Sequence, residues 1–347
     1  MCNELRSWGA LSLLAAVALF VLILTAPALP QTAPHAAEGP VRVEINSQLI
    51  DAFEPGDATR HRFGPLHFRG GLVMTSANKD FGGLSALRVF PDGEHFISLT
   101  DKGRWLRGRI VYERERPIGI DDAEMAMILG PDGRPLSARG WYDTESIAVD
   151  GRTLYVGIER VNRIVRFDYG RYGLLARGQP IPLPPGIANL PNNRGLECLE
   201  FVPKPMPGAG TLIAISERGL DSAGNIRGFL IGGPTPGEFS VVRRADFDVS
   251  DCAILPDGDL ALLERRFNWT SGVAIRLRRV PLAALAPGAV VDGKEILTAD
   301  MGYQIDNLEG LSVNRTRSGE VVLTMVSDDN FSTLQRTILL QFTLVGE

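Results

Sequence analysis

The chain has 347 residues, 44% of them hydrophobic, with 38 glycines and 23 prolines, the scale and balance of one large or two ordinary globular domains. Its formal net charge is −5 with no long basic run, which excludes a general nucleic-acid binder and leaves small-molecule or protein partners.

The first element is the apolar run Gly9–Leu29, preceded by Arg6 and closing on Ala26-Pro27-Ala28. A basic start, an apolar stretch and a small-residue exit read as a signal peptide over residues 1–29, with an uncleaved membrane anchor as the alternative. Residues 30–40, rich in Pro and Ala, read as a flexible lead-in to a single domain over 41–347. On either reading the body of the protein faces an exported, periplasmic or extracellular, compartment. Any membrane contact is through the N-terminal segment alone.

From residue 65 onward, short alternating apolar runs and turn residues dominate, and no long helical period appears. Five stretches share a frame: "GGLSALRVFPDG", "TESIAVDG", "LECLEFVP", "SDCAILPDG" and "LEGLSVNR". In this frame Gly82, Glu145, Glu197, Asp251 and Glu309 are equivalent, at intervals of 63, 52, 54 and 58 residues. A turn, often Asp-Gly, and a second strand follow each one. A repeat of roughly 50 residues and four strands predicts an all-β fold, a β-propeller of five blades. Residues 65–76 would close the ring as the outer strand of the last blade, and a sixth blade is the alternative if residues 41–50 contribute one.

Second strands end on an acid, often followed by a base, as in "LYVGIER", "LIAISER" and "LALLER". In a propeller these acids lie at the same end as the frame acids. Nine carboxylates, Asp101, Glu145, Glu159, Glu197, Glu217, Asp251, Glu264, Glu309 and Asp328, are therefore expected at one channel mouth. Lys102, Arg160, Arg218 and Arg265 offset only four of these charges. The excess calls for a divalent cation, and crowded oxygen ligands suit calcium. The alternative is an Arg–carboxylate lattice that locks blade to blade and binds nothing.

Other chemistries have little support. There is no Gly-x-Ser-x-Gly elbow, Walker loop, dinucleotide fingerprint or Cys/His cluster, and there are only four histidines. Cys198 and Cys252 align at one repeat position that elsewhere holds small residues, so buried unpaired thiols are expected. A bridge would need the two Cα atoms within about 7 Å.

The stretches "FGGLSAL", "DTESIAV", "NRGLECLEF", "LLERRF", "DNLEGLSV" and "SDDNF" resemble the phytase-like family, "esterase-like activity of phytase", over about residues 65–345. The resemblance implies an exported bacterial protein that hydrolyses a small phosphoester or ester. It implies that Glu145, Glu197, Glu217, Glu309 and their neighbours hold calcium. Asp328, Asp329 and Asn330 would be further oxygen ligands, and Lys102, Arg160, Arg218 and Arg265 would bind substrate. A calcium-dependent ester or lactone hydrolase would use the same mouth. A non-catalytic propeller that binds a protein, peptide or glycan shares the fold.

Overall fold

Asp-Gly pairs between alternating apolar runs set the local geometry. Gly93, Gly151 and Gly258 adopt φ of 78°, 57° and 94°, values open to glycine, and each turns the first strand of a repeat into the second. The computed structural model describes residues 39–346. The expected signal peptide or anchor (residues 1–29) and most of the expected lead-in lie outside the described residues. No helix among the described residues is long and apolar enough to cross a membrane.

The repeats fold into five sheets, antiparallel but for one short parallel edge pair in blade three, arranged as the blades of a propeller. Their inner strands are Leu84–Val89, Thr144–Asp150, Leu196–Phe201, Asp248–Ile254 and Leu308–Arg315, and neighbours in this order pack around a closed ring. Each blade alone exposes two apolar faces, and the ring buries them. Five apolar clusters fill the five spaces between blades. The ring closes where Leu66–Thr75 pairs with Thr337–Leu344, from Leu66 opposite Leu344 to Met74 opposite Thr337. Residues 41–50 do not build a sixth blade. Val41–Arg42 extends blade one, and Asn46–Ile50 extends blade five.

The channel is plugged by a charge. Arg88, on the inner strand of blade one, reaches across the axis and is 6% exposed. Its guanidinium donates to the carbonyl oxygens of Leu199 (2.7 Å), Cys252 (3.1 Å) and Leu311 (2.8 Å), on blades three, four and five. It also pairs with Asp251 (3.0 Å) and Glu200 (3.5 Å). Asp251 further accepts the Cys252 and Leu311 N–H groups, both at 2.7 Å. Burial pushes the Asp251 carboxyl up to about 6, against the pull of Arg88 and these N–H donors, and pushes Glu200 up to about 7. One guanidinium thus ties four blades together.

The two cysteines correct the sequence expectation. Cys198 and Cys252 form a disulfide between the inner strands of blades three and four, with Cα atoms 5.2 Å apart. They are not equivalent positions. Cys198 directly follows the irregular residue at the start of its strand, whereas Cys252 lies two residues beyond the corresponding one. A one-residue offset reverses the face in a strand, so the two side chains meet across the space between blades. The bridge closes 54 residues, worth about 4 kcal/mol by loop entropy. Cys198→Ser with Cys252→Ser should lower the denaturant unfolding free energy by about that amount, and an unchanged midpoint would contradict this role.

Candidate metal centre

Every inner strand starts with a β-bulge. Thr144 pairs with Ile158 and Ser146 with Gly157, which leaves Glu145 as the extra residue. The same shift singles out Glu197, Glu309, Ser85 and Ser250. A bulge breaks alternation and re-aims one side chain, here at the end of the strand that opens on the mouth. The second strands place Asp101, Glu159, Glu217, Arg265 and Asp328 at the matching position, one residue past the pairs just described.

The pairing register therefore differs from the sequence alignment in two blades. In blade one the frame position belongs to Ser85, not Gly82. In blade four it belongs to Ser250 and Arg265, one residue away from Asp251 and Glu264. That single step turns both acids off the mouth. Asp251 faces Arg88. Glu264 is fully buried against Arg276 (2.6 Å) and Arg278 (2.5 Å). Blade four thus contributes a base to the mouth, where the other blades contribute acids.

Seven of the nine expected carboxylates come together: Asp101, Glu145, Glu159, Glu197, Glu217, Glu309 and Asp328. All but the half-buried Asp101 are buried. Glu159, Glu197 and Glu217 each offer a carboxylate oxygen within 4.8 Å of the others. Glu159 accepts the Gly195 N–H (2.8 Å), Glu309 accepts the Asn307 amide (2.8 Å), and Asp328 accepts the Asn330 N–H (2.6 Å). The buried Oδ1 of Asp101 accepts no hydrogen bond. Arg265 lies between Glu309 (3.1 Å) and Glu217 (3.4 Å), and Arg194 approaches Glu217 (3.6 Å).

The electrostatics follow from crowding in a dry site. Burial first, then the neighbouring carboxylates, raise Glu145 and Glu197 well above the usual range. Burial pushes Asp101 up to about 6, Glu159 to about 7 and Asp328 to about 8, and also raises Glu217 against the pull of Arg265. Near neutral pH the mouth shares protons that ordinary carboxylates would have released.

The bases divide. Arg265 sits inside the mouth, and Arg218 is held by Asp248 of blade four (Nε to Oδ2, 2.7 Å). Lys102 and Arg160 are exposed and rest on rings, Lys102 Nζ 2.8 Å from the centre of Phe331 and Arg160 4.9 Å from that of Tyr142. Asp329 and Asn330 are committed to hydrogen bonds within their loop and to blade one. Asp329 accepts the Gly83 and Phe331 N–H groups and the Thr337 hydroxyl, and Asn330 bonds Gln335. Gly83 is required here, with φ of 59° and space for a Cβ only 2.4 Å from Asp101 Oδ1 and 2.5 Å from Phe331. Sequence reasoning missed Arg88, Arg194 and Asn307. A lone Arg inside the apolar strand "SALRVF" was the available signal for the first.

With this geometry in place, the phytase-like family, described as esterase-like activity of phytase, matches residues 79–331. The chain belongs to that family. The matched span of this phytase-like propeller contains every mouth carboxylate, Arg265 and the Arg88 plug. Among solved structures, the Myxococcus xanthus glutaminyl cyclase is 13% identical with a TM-score of 0.40, over 81% of this chain and 97% of that one. The α-L-arabinofuranosidase of Podospora anserina in complex with cellotriose is 10% identical with a TM-score of 0.46, over 76% and 93%. The PQQ-bound aldose sugar dehydrogenase of Streptomyces coelicolor is 14% identical with a TM-score of 0.40, over 89% and 100%. At these scores none of the three informs the chemistry of the phytase-like chain. A comparison with curated proteins gives no match.

Proposed function

We propose that this phytase-like propeller is an exported hydrolase of small phosphoesters or esters that works at the acidic mouth with a divalent cation, calcium being the ion the ligands suit. The observation that carries the proposal is the convergence of Glu159, Glu197 and Glu217 within one coordination sphere. The donors are all hard oxygens and the three carboxylates are buried, as expected of a site that fits a cation of this kind. The Cys198–Cys252 bridge supports an oxidising, exported setting, and a net charge of −5 argues against nucleic acid as substrate.

A bound calcium would neutralise substrate charge and acidify a water. The chain's own residues supply the rest. Glu159, Glu197 and Glu217 would hold the cation. Glu145, which keeps its proton above the usual range, would serve as the acid for a departing oxygen. Lys102 and Arg160, exposed at the rim, bind the anionic end of the substrate.

Arg265 favours a second reading. It already brings a positive charge to Glu217 and Glu309, as a lattice that locks the blades would require. Hydrolysis of 4-nitrophenyl phosphate and 4-nitrophenyl acetate separates the two. The hydrolase reading expects turnover that is lost in chelator, restored by calcium and reduced roughly 100-fold in Glu197→Gln. Neither turnover nor calcium binding would favour the lattice, calcium binding without turnover would favour a non-catalytic binding module, and turnover indifferent to chelator would overturn the cation's role.

A further inference from the structure

The three convergent carboxylates are tied to one short segment of blade three. The Gly195 N–H donates to the Glu159 carboxylate (2.8 Å), and the Gly195 carbonyl accepts the Glu217 N–H (2.7 Å). Glu197 follows two residues later, as the extra residue of the bulge. Cys198 comes next and is bonded to Cys252 of blade four. A displacement of residues 195–198 therefore moves all three carboxylates together.

Side chains link the inner strands at every joint of the ring. Ser85 of blade one donates to the Thr144 carbonyl (2.5 Å), Ser146 of blade two to that of Leu196 (2.7 Å), and Ser250 of blade four to that of Leu308 (3.0 Å). The Val89 N–H of blade one donates to the Ser312 hydroxyl of blade five (2.8 Å). Thr144, Leu196 and Leu308 directly precede the bulged acids Glu145, Glu197 and Glu309, so these hydroxyls steady the entry to each bulge. Between blades three and four the link is covalent instead. It holds the exit from the bulge, directly after Glu197, in the blade that supplies two of the three convergent carboxylates. Cys252 in turn donates its N–H to Asp251 (2.7 Å), and its carbonyl accepts from Arg88 (3.1 Å), so the segment is anchored on the plug.

A hydrogen bond stretches and exchanges with water, whereas a covalent bridge does neither. Carboxylates gathered for a cation repel one another before it arrives, and the bridge opposes their separation. A site already held in its bound shape loses less affinity to reorganisation. We infer that the Cys198–Cys252 bridge is a positioning element of the cation site, holding residues 195–198 so that Glu159, Glu197 and Glu217 stay within one coordination sphere. The inference rests on the cation reading of the mouth. Cation affinity then depends on oxidation, and the site reaches full strength only in a compartment that forms disulfides.

The test is calorimetric titration of calcium into chelator-treated wild type and into Cys198→Ala with Cys252→Ala, at a temperature where both are folded. Lower stability alone does not change a Kd measured on folded protein, because the binding-competent fraction stays near one. Calcium binding should be about tenfold weaker in the alanine pair, as when groups behind metal ligands are removed. Leu230→Ala removes bulk from the same apolar cluster and serves as the control. It should lower the melting midpoint and keep the wild-type Kd. Should the alanine pair not fold, wild type with its bridge reduced by a phosphine is read in the same way. Unchanged calcium affinity without the bridge overturns the positioning role and leaves the cation site standing. Equal weakening in Leu230→Ala also overturns it, since general loosening of the blades would then account for the loss. A wild type that binds no calcium removes the cation reading and the positioning role together.

Discussion

Arg88→Met is expected to lower the unfolding free energy by about 3–5 kcal/mol, the cost of removing one partner from a buried ion pair. The substitution strips Asp251 of its counter-charge at a site with no exposure. It also leaves the carbonyls of Leu199, Cys252 and Leu311 without the donor they share. Methionine fills much of the volume, so a cavity would account for little of the loss. Denaturant unfolding at neutral pH measures it. A loss below about 1 kcal/mol in Arg88→Met would show that the plug does not hold the blades together.

The second large effect is on pH dependence. In the cation-free protein, Asp101, Glu159 and Asp328 hold protons up to about pH 6, 7 and 8, whereas the unfolded chain releases them near pH 4. Below pH 4 both states are protonated and burial of these groups carries no charge penalty. As pH rises through the folded values, the native state is left with buried like charges, and stability falls. Cation-free protein should therefore be most stable near pH 4–5 and lose on the order of a few kcal/mol by pH 8. Thermal melts in chelator across this range read the trend. A midpoint that is flat or rises from pH 5 to pH 8 would mean that Arg265 and Arg194 already compensate the mouth.

The blades were legible because two local signals coincide. Alternating apolar residues fix the strands, and Asp-Gly pairs at residues 92–93, 150–151 and 257–258 fix the turns between them. Ring closure by residues 65–76 was legible for the same reason, since a three-stranded last repeat needs a partner. The site was harder to read, because a bulge changes the face without changing the composition. "LLERR" carries an acid and two bases in a row, and only the pairing of Val249 with Glu264 shows that Arg265, not Glu264, faces the mouth. The same one-residue shift hid the disulfide, since two cysteines that seem equivalent should point the same way. Arg88 went unread although a lone Arg in an apolar strand is a signal, and its partners come from blades three, four and five, which no local pattern names.

The proposed function requires the mouth to be a cation site rather than a self-neutralised lattice. Calcium titration of the chelator-treated protein at pH 8, followed by thermal unfolding, tests it most directly. Saturation at 100 times Kd adds about 2.7 kcal/mol, so the midpoint should rise by several degrees in wild type and not in Glu197→Gln. The rise should be larger at pH 8 than at pH 5, where protons already occupy the site. A wild-type midpoint that stays fixed in calcium and in every other divalent cation would contradict the account and leave Arg265 as the mouth's resident charge.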